Sequence, residues 1–387
     1  MTEIPLNKRL RKLQASPIRA FNDQISGIEG IIRLTLGEPD FDTPQFIKDA
    51  SKLAMDQEGN GYTHSKGLLK LREAISAYLH RKYQLSYNPD TEIIVTHGAT
   101  EAIFASLMGI LNPGDKVLVP SPNYAVYGTQ VGICGGELVQ LDVSDNHFIL
   151  SPEQLEQALE KSPQIKVLLF NHPSNPTGKS YSADQLKALA TMIQKHQLLV
   201  ISDEIYSELT YDNEHMSMAN YLPDQTILIN GASKSHAMTG WRMGFICAPE
   251  WILSEIFKAH QSCVNTPTTQ AQYAAITAYN EGDEAIEEMR SAYLKRRNYL
   301  VNSFKELGFQ VSNPQGAFYL FVQVPEWFEG DDYDFCLQLA QKAKVGLIPG
   351  QAFGPAGYRY FRLSYAASME SLKEAMHRIK KFTQTNQ

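Results

Sequence analysis

The rhythm of apolar and polar positions changes twice along the chain. Before residue 91 the apolar spacing is helical: Leu68, Leu71 and Ile75 fall on one face of a predicted amphipathic helix. Residues 31–36 read as a short strand, stopped by Gly37-Glu38-Pro39-Asp40. From 91 to about 249, short apolar runs alternate with amphipathic segments. The predicted strands are 92–96, 116–120, 138–143, 166–170, 198–202, 226–230 and 244–248, separated by helices such as 151–161 and 182–195. Such alternation demands crossover connections, and so an α/β fold with a mainly parallel seven-stranded sheet covered on both faces. Ligands of these sheets gather at the carboxyl ends of the strands. A charged helix is then predicted over 283–307, with Ile286, Met289, Tyr293, Leu300 and Phe304 as its apolar stripe. Beyond it, 317–322 and 360–365 read as strands of a smaller α+β domain, closed by a helix from about Ser368.

A length of 387 residues exceeds what one core usually serves, so two domains are expected. The division reads as an arm and part of the small domain at 1–40, a large domain at 41–280 and a small domain at 281–387. A net charge of -7 argues against nucleic acid or an anionic membrane as partner. No apolar run approaches a membrane span. The basic start continues into Leu13-Gln14-Ala15-Ser16-Pro17 rather than an apolar core, so no secretion signal and a cytoplasmic location are expected. Cys134, Cys247, Cys263 and Cys336 lie far apart, without a zinc or disulfide spacing. No His-Glu-x-x-His pattern occurs, and no metal is expected.

Chemistry is sought where the strands end. Gly98-Ala99-Thr100 opens a helix, and suits either a phosphate cradle or a plain helix start. Tyr124 follows the second strand and could lie against a ring or pack in the core. Asn175, in a loop stiffened by Pro173, Pro176 and Gly178, is a fixed amide or a simple turn residue. Asp203 ends an apolar strand, where it needs a partner or caps a helix. Lys234, in Ser233-Lys234-Ser235-His236-Ala237-Met238-Thr239-Gly240-Trp241-Arg242, is a solvated loop lysine unless these groups are its partners. All of them fall at one edge of the predicted sheet. An imine-forming lysine, a carboxylate for a pyridine nitrogen and a phosphate cradle are what pyridoxal phosphate requires. Tyr206 and Asn175 would bond its phenolic oxygen, while Arg242 and Ser233 would hold its phosphate.

With these residues the chain resembles the class I, fold-type I aminotransferases. The matching segments include Leu36-Gly37-Glu38-Pro39-Asp40-Phe41, Asn175-Pro176-Thr177-Gly178, Ser202-Asp203-Glu204-Ile205-Tyr206, Gly316-Ala317-Phe318-Tyr319 and Arg362-Leu363-Ser364-Tyr365-Ala366. The resemblance implies pyridoxal 5'-phosphate as cofactor in the large domain and a ping-pong exchange between an amino acid and a 2-oxo acid such as 2-oxoglutarate. It implies that Lys234 binds the cofactor and moves the substrate Cα proton, with Asp203 and Tyr206 completing the catalytic group. Tyr124 would stack on the ring, and Ala99, Thr100, Ser233 and Arg242 would take the phosphate. Tyr62 would reach the cofactor phosphate of a second subunit, which implies a homodimer with shared active sites. Arg362 would grip the substrate α-carboxylate, aided by the Gly37 backbone and Asn175. The alternation Phe361, Arg362, Leu363 independently turns the arginine away from the apolar pair.

Within the family the resemblance is to the branch of aromatic amino acid and N-acetyl-L,L-diaminopimelate aminotransferases, tilted toward aromatic donors. Ile18, Phe21, Tyr62, Tyr124 and Phe353 are candidate side-chain contacts, and Arg19 or Arg33 a candidate second arginine for a dicarboxylate. Competing readings are an aspartate aminotransferase, a pyridoxal phosphate C–S lyase, and the ligand-sensing domain of a transcription regulator. The last would need a DNA-binding module, and fewer than 40 residues precede Gly37.

Overall fold

The computed structural model describes residues 6–7, 9–13, 16–57 and 60–386. A minimal pair, β1 (Ile32–Arg33), runs parallel to a later strand at Val345–Gly346. The expected strand at 31–36 is therefore shorter, because only two of its residues find a ladder partner.

The central sheet contains β2 (Ile93–His97), β3 (Lys116–Ser121), β4 (Glu137–Asp142), β5 (Ile165–Asn171), β6 (Leu199–Asp203), β7 (Thr226–Gly231) and β8 (Met243–Cys247). Their order is β2-β8-β7-β6-β5-β3-β4. All neighbours pair parallel except at β8, which runs antiparallel to both β2 and β7. That reversal has a consequence: the amino end of β8 lies beside the carboxyl end of β2, with His97 opposite Met243. Arg242, one residue before β8, is thus delivered to the same edge as the other strand ends.

Alternation places successive side chains on opposite faces. Ile93 and Val95 pack with Leu71, Ile75 and Leu79 of the helix Leu69–Tyr83 and with Ala271 and Ala275 of Thr269–Glu281. Ile94 faces the other way, toward Ile103 and Leu107 of Gly98–Ile110 and Ile252 and Ile256 of Glu250–Val264. Two helices open with capping boxes, Ser151 with Gln154 and Ser182 with Gln185, each side chain satisfying the other's backbone N–H.

The helix Asp283–Glu306 buries the whole expected stripe, together with Arg297, whose guanidinium makes a two-pronged bond to Asp212 at 2.7 and 2.9 Å. The smaller sheet comprises β9 (Val311–Ser312), β10 (Tyr319–Gln323), β12 (Ile348–Pro349) and β13 (Tyr360–Ser364), while β11 (Val345–Gly346) pairs with β1. β10 starts two residues later than expected, because Ala317 adopts a positive φ of 57°. A final helix, Met369–Asn386, covers this sheet through Leu372, Ala375 and Ile379. No helix among the described residues is long and apolar enough to cross a membrane.

Candidate active site

The carboxyl edge of the central sheet and the small sheet enclose a cavity of about 340 Å³. It is lined by Gly37, Ala99, Thr100, Tyr124, Asn175, Asp203, Tyr206, Ser233, Lys234, Arg242 and Arg362. These are the expected catalytic, cofactor and substrate residues, with one exception. Tyr62 is 87% exposed and does not reach this cavity.

Lys234 lies in the short helix Ala232–Ser235 directly after β7. Its Nζ donates to the Gly37 carbonyl at 2.6 Å. Burial lowers its amine from 10.5 to about 8, an effect that Arg242 reinforces and Glu38 and Asp203 oppose. A sizeable fraction of Lys234 is therefore a neutral nucleophile in mildly alkaline solution.

Asp203, the last residue of β6, is buried. Its partners are the Tyr127 hydroxyl at 2.6 Å and its own loop's Ile205 N–H at 3.2 Å. Burial pushes its carboxyl up to about 6 against the pull of these bonds. A cation placed in the cavity beside it would relieve that cost, as a protonated pyridine nitrogen would.

The phosphate end is built by close approach. Gly98 has φ +74°, and a Cβ there would sit 2.5 Å from Arg242 Nη2. Only glycine lets the guanidinium lie against the first turn of Gly98–Ile110, where free backbone N–H groups and the helix dipole favour an anion. Arg242 itself takes a φ of 54°, and its Nη1 donates to the Thr239 carbonyl at 2.8 Å.

Arg362, on β13, is 2% exposed. Its Nη1 donates to Asn175 Oδ1 at 2.9 Å and its Nη2 to the Thr35 carbonyl at 2.7 Å. Among the described residues its Nε has no partner and no carboxylate pairs with it. The cation lies between the rings of Tyr319 and Phe353, at 4.4 and 4.8 Å from their centroids. A buried, unpaired guanidinium between apolar rings is costly unless an anion arrives.

Several expectations need correction. Phe21 and Phe353 do not line the cavity: Phe21 packs edge-on against Tyr333, and Phe353 lies under Arg362. Arg33 also lies away from it, its Nη2 donating to the Ser26 carbonyl at 2.7 Å. Asn175 accepts from Arg362 at 2.9 Å, and the Tyr206 hydroxyl meets that of Tyr319 at 2.8 Å. Gly37 earns its place by size, because a Cβ there would lie 2.6 Å from the Tyr319 hydroxyl.

Tyr127, Asn171, Thr35 and Tyr319 are site residues that the sequence reading missed. Tyr127 stands three positions after Tyr124, one helical turn along, which was a usable signal. A further buried group unites His172, Glu204 and His215 behind the site. Glu204 accepts from Ser202, Ser217 and His215 at 2.7 to 2.8 Å. Burial raises its carboxyl, but the histidines more than reverse this and hold it well below the usual range.

The family model "Aminotransferase class I and II" matches residues 29–379. A Bacillus subtilis (strain 168) protein named "Probable N-acetyl-LL-diaminopimelate aminotransferase" is 41% identical over 97% of this chain and 95% of its own. The solved aromatic aminotransferase from Pyrococcus horikoshii OT3 superposes with a TM-score of 0.89 at 37% identity, covering 94% of this chain and 99% of that one. The Thermus thermophilus aspartate aminotransferase with maleate gives 0.92 at 35% identity, covering 98% and 100%. With the match spanning most of its length, this chain belongs to the class I and II aminotransferases of fold-type I, transaminases that depend on pyridoxal phosphate.

Proposed function

We propose that the cavity exchanges amino groups between aromatic amino acids and 2-oxoglutarate in a ping-pong sequence, with Lys234, Asp203 and Tyr206 as its catalytic group. The observation that carries this reading is Arg362, a buried guanidinium whose Nε is unsatisfied and which has no anionic partner among the described residues. An α-carboxylate supplies what it lacks, in the two-pronged geometry that arginine favours. Asn175 and the Thr35 carbonyl fix the fork before substrate arrives.

When bound, pyridoxal phosphate supplies an aldehyde that captures amines and a ring that takes up the electron pair left at the substrate Cα. The protein's share is positioning and proton movement. Asp203 would hold negative charge at the ring nitrogen, Tyr124 would cover the ring, and Tyr206 with Asn175 would hold the ring hydroxyl. Ala99, Thr100, Ser233 and Arg242 would hold the phosphate. Lys234 Nζ would hold the cofactor and, as an amine at the same place, would take the proton from the substrate Cα and hand it on within the cavity. Gly37 accepts from that amine through its carbonyl.

The aromatic preference rests on apolar walls at Ile18, Leu36 and Tyr124, and on the resemblance to aromatic aminotransferases. A second reading, with aspartate or N-acetyl-diaminopimelate as donor, draws support from the names of similar proteins. The exposed Tyr62 supports a homodimer in which it reaches the partner's phosphate site. We further assign a cytoplasmic location and the division at about residues 40 and 280.

A panel of phenylalanine, tyrosine, tryptophan, aspartate and N-acetyl-diaminopimelate, each with 2-oxoglutarate, tests the reading. Aromatic donors should show the highest kcat/KM. Inert aromatic donors beside active aspartate or N-acetyl-diaminopimelate would overturn the preference. Pyruvate and ammonia released from sulfur amino acids without an acceptor would point instead to a C–S lyase.

A further inference from the structure

Tyr319 touches three parts of the site at once. It opens β10, in which Phe321 stands opposite Arg362 of β13. Tyr319 lies two residues before Phe321 and so shares its face, which lets its ring reach the guanidinium diagonally across the ladder. The cation sits 4.4 Å from the ring centroid. Beyond the ring, the hydroxyl meets that of Tyr206 at 2.8 Å and leaves no room for a side chain on Gly37. Gly37 in turn takes the Lys234 amine on its carbonyl.

The bond between the two hydroxyls has a direction. Each carries one proton, so one hydroxyl donates across the 2.8 Å and the other offers its proton elsewhere. Burial pushes the Tyr319 phenol up, but the guanidinium against its ring draws it back. The Tyr206 phenol is pushed well up by burial, and Tyr319 and Asp203 add to this while Arg362 opposes it. The phenol with the cation on its ring is the better donor. Tyr206, whose side chain lines the cavity, then has its own proton free to turn inward.

We propose that Tyr319 is a positioning residue for Tyr206: it donates to the Tyr206 oxygen and so directs the Tyr206 proton at the cofactor's ring hydroxyl. This rests on the reading that Tyr206 holds that hydroxyl. A side chain of the small sheet thereby sets the orientation of a group at the edge of the central sheet.

The test compares wild type, Tyr319→Phe and Tyr206→Phe, each loaded with pyridoxal phosphate, by the pH midpoint of the visible absorption change. A bond donated to the ring hydroxyl oxygen disperses negative charge there, so the cofactor gives up its proton at lower pH. Tyr319→Phe lets the Tyr206 hydroxyl turn away, and the midpoint should rise by about 0.5–1 pH unit, the equivalent of one neutral hydrogen bond. Tyr206→Phe should raise it at least as far. The KM of the amino donor should stay within about twofold in Tyr319→Phe, because the ring against Arg362 remains. A lowered midpoint in Tyr319→Phe would mean that Tyr206 donates to Tyr319, and would overturn the proposal. So would an unchanged midpoint, whether or not the KM rises. If Tyr206→Phe also leaves the midpoint unchanged, the reading of Tyr206 falls as well, and a shift in Tyr206→Phe alone overturns the role of Tyr319 only.

Discussion

The Tyr127 hydroxyl donates to Oδ2 of Asp203 at 2.6 Å, and both side chains are buried. The bond stabilises the ionised carboxylate where burial opposes it. Tyr127→Phe should therefore raise the Asp203 pKa above about 6 and weaken its hold on a pyridinium. The expected loss is about 1.5–3 kcal/mol of cofactor affinity, near the range for a hydrogen bond to a charged group. Titrating cofactor-free protein with pyridoxal phosphate measures it; an unchanged Kd would mean that Tyr127 only packs.

Lys234 sets a pH dependence whose sign is fixed. Its folded amine lies at about 8, below the ordinary lysine value of 10.5, so the fold disfavours the protonated form. The stability of the cofactor-free protein should fall as pH drops from 10.5 toward 8, then level off. Capture of pyridoxal phosphate needs the neutral amine, so its rate should rise through about pH 8 and flatten above. Stopped-flow mixing at a series of pH values would show this, and a flat profile from pH 6 to 9 would refute it.

Gly98→Ala places a Cβ 2.5 Å from Arg242 Nη2 at a φ of +74°. Backbone strain alone should cost about 1 kcal/mol, and displacement of the guanidinium should lower affinity for pyridoxal phosphate more than for pyridoxal. Gly240→Ala is the control, since a Cβ there meets nothing within 4 Å. Equal losses for both ligands would place the phosphate elsewhere.

Glu204 is a buried carboxylate satisfied by Ser202, Ser217 and His215. Glu204→Leu leaves these donors stranded and should destabilise the protein by about 3–5 kcal/mol. Glu204→Gln keeps the shape and should cost less. Thermal unfolding distinguishes them, and equal melting temperatures for both variants would contradict the charge-network account.

Much of the central sheet was legible because each buried strand is a short apolar run between helical segments. All seven runs recur within a residue or so of their expected bounds. Strand-end residues could be placed for the same reason: Asp203 and Lys234 follow unbroken apolar runs. The antiparallel turn of β8 was not readable, since its buried run has no directional signature. Phe21 and Phe353 were misplaced because a sequence shows that a ring is buried, not what it is buried against. The His172, Glu204 and His215 group was invisible because its members come from three separate segments.

The central claim is that Lys234 is the amine on which the chemistry turns. The direct measurement compares wild type and Lys234→Ala, each reconstituted with pyridoxal phosphate, for visible absorption and for transfer from phenylalanine to 2-oxoglutarate. Wild type should show a pH-dependent visible band, and the variant should lose that band and its turnover. A Lys234→Ala protein with wild-type activity would contradict the account.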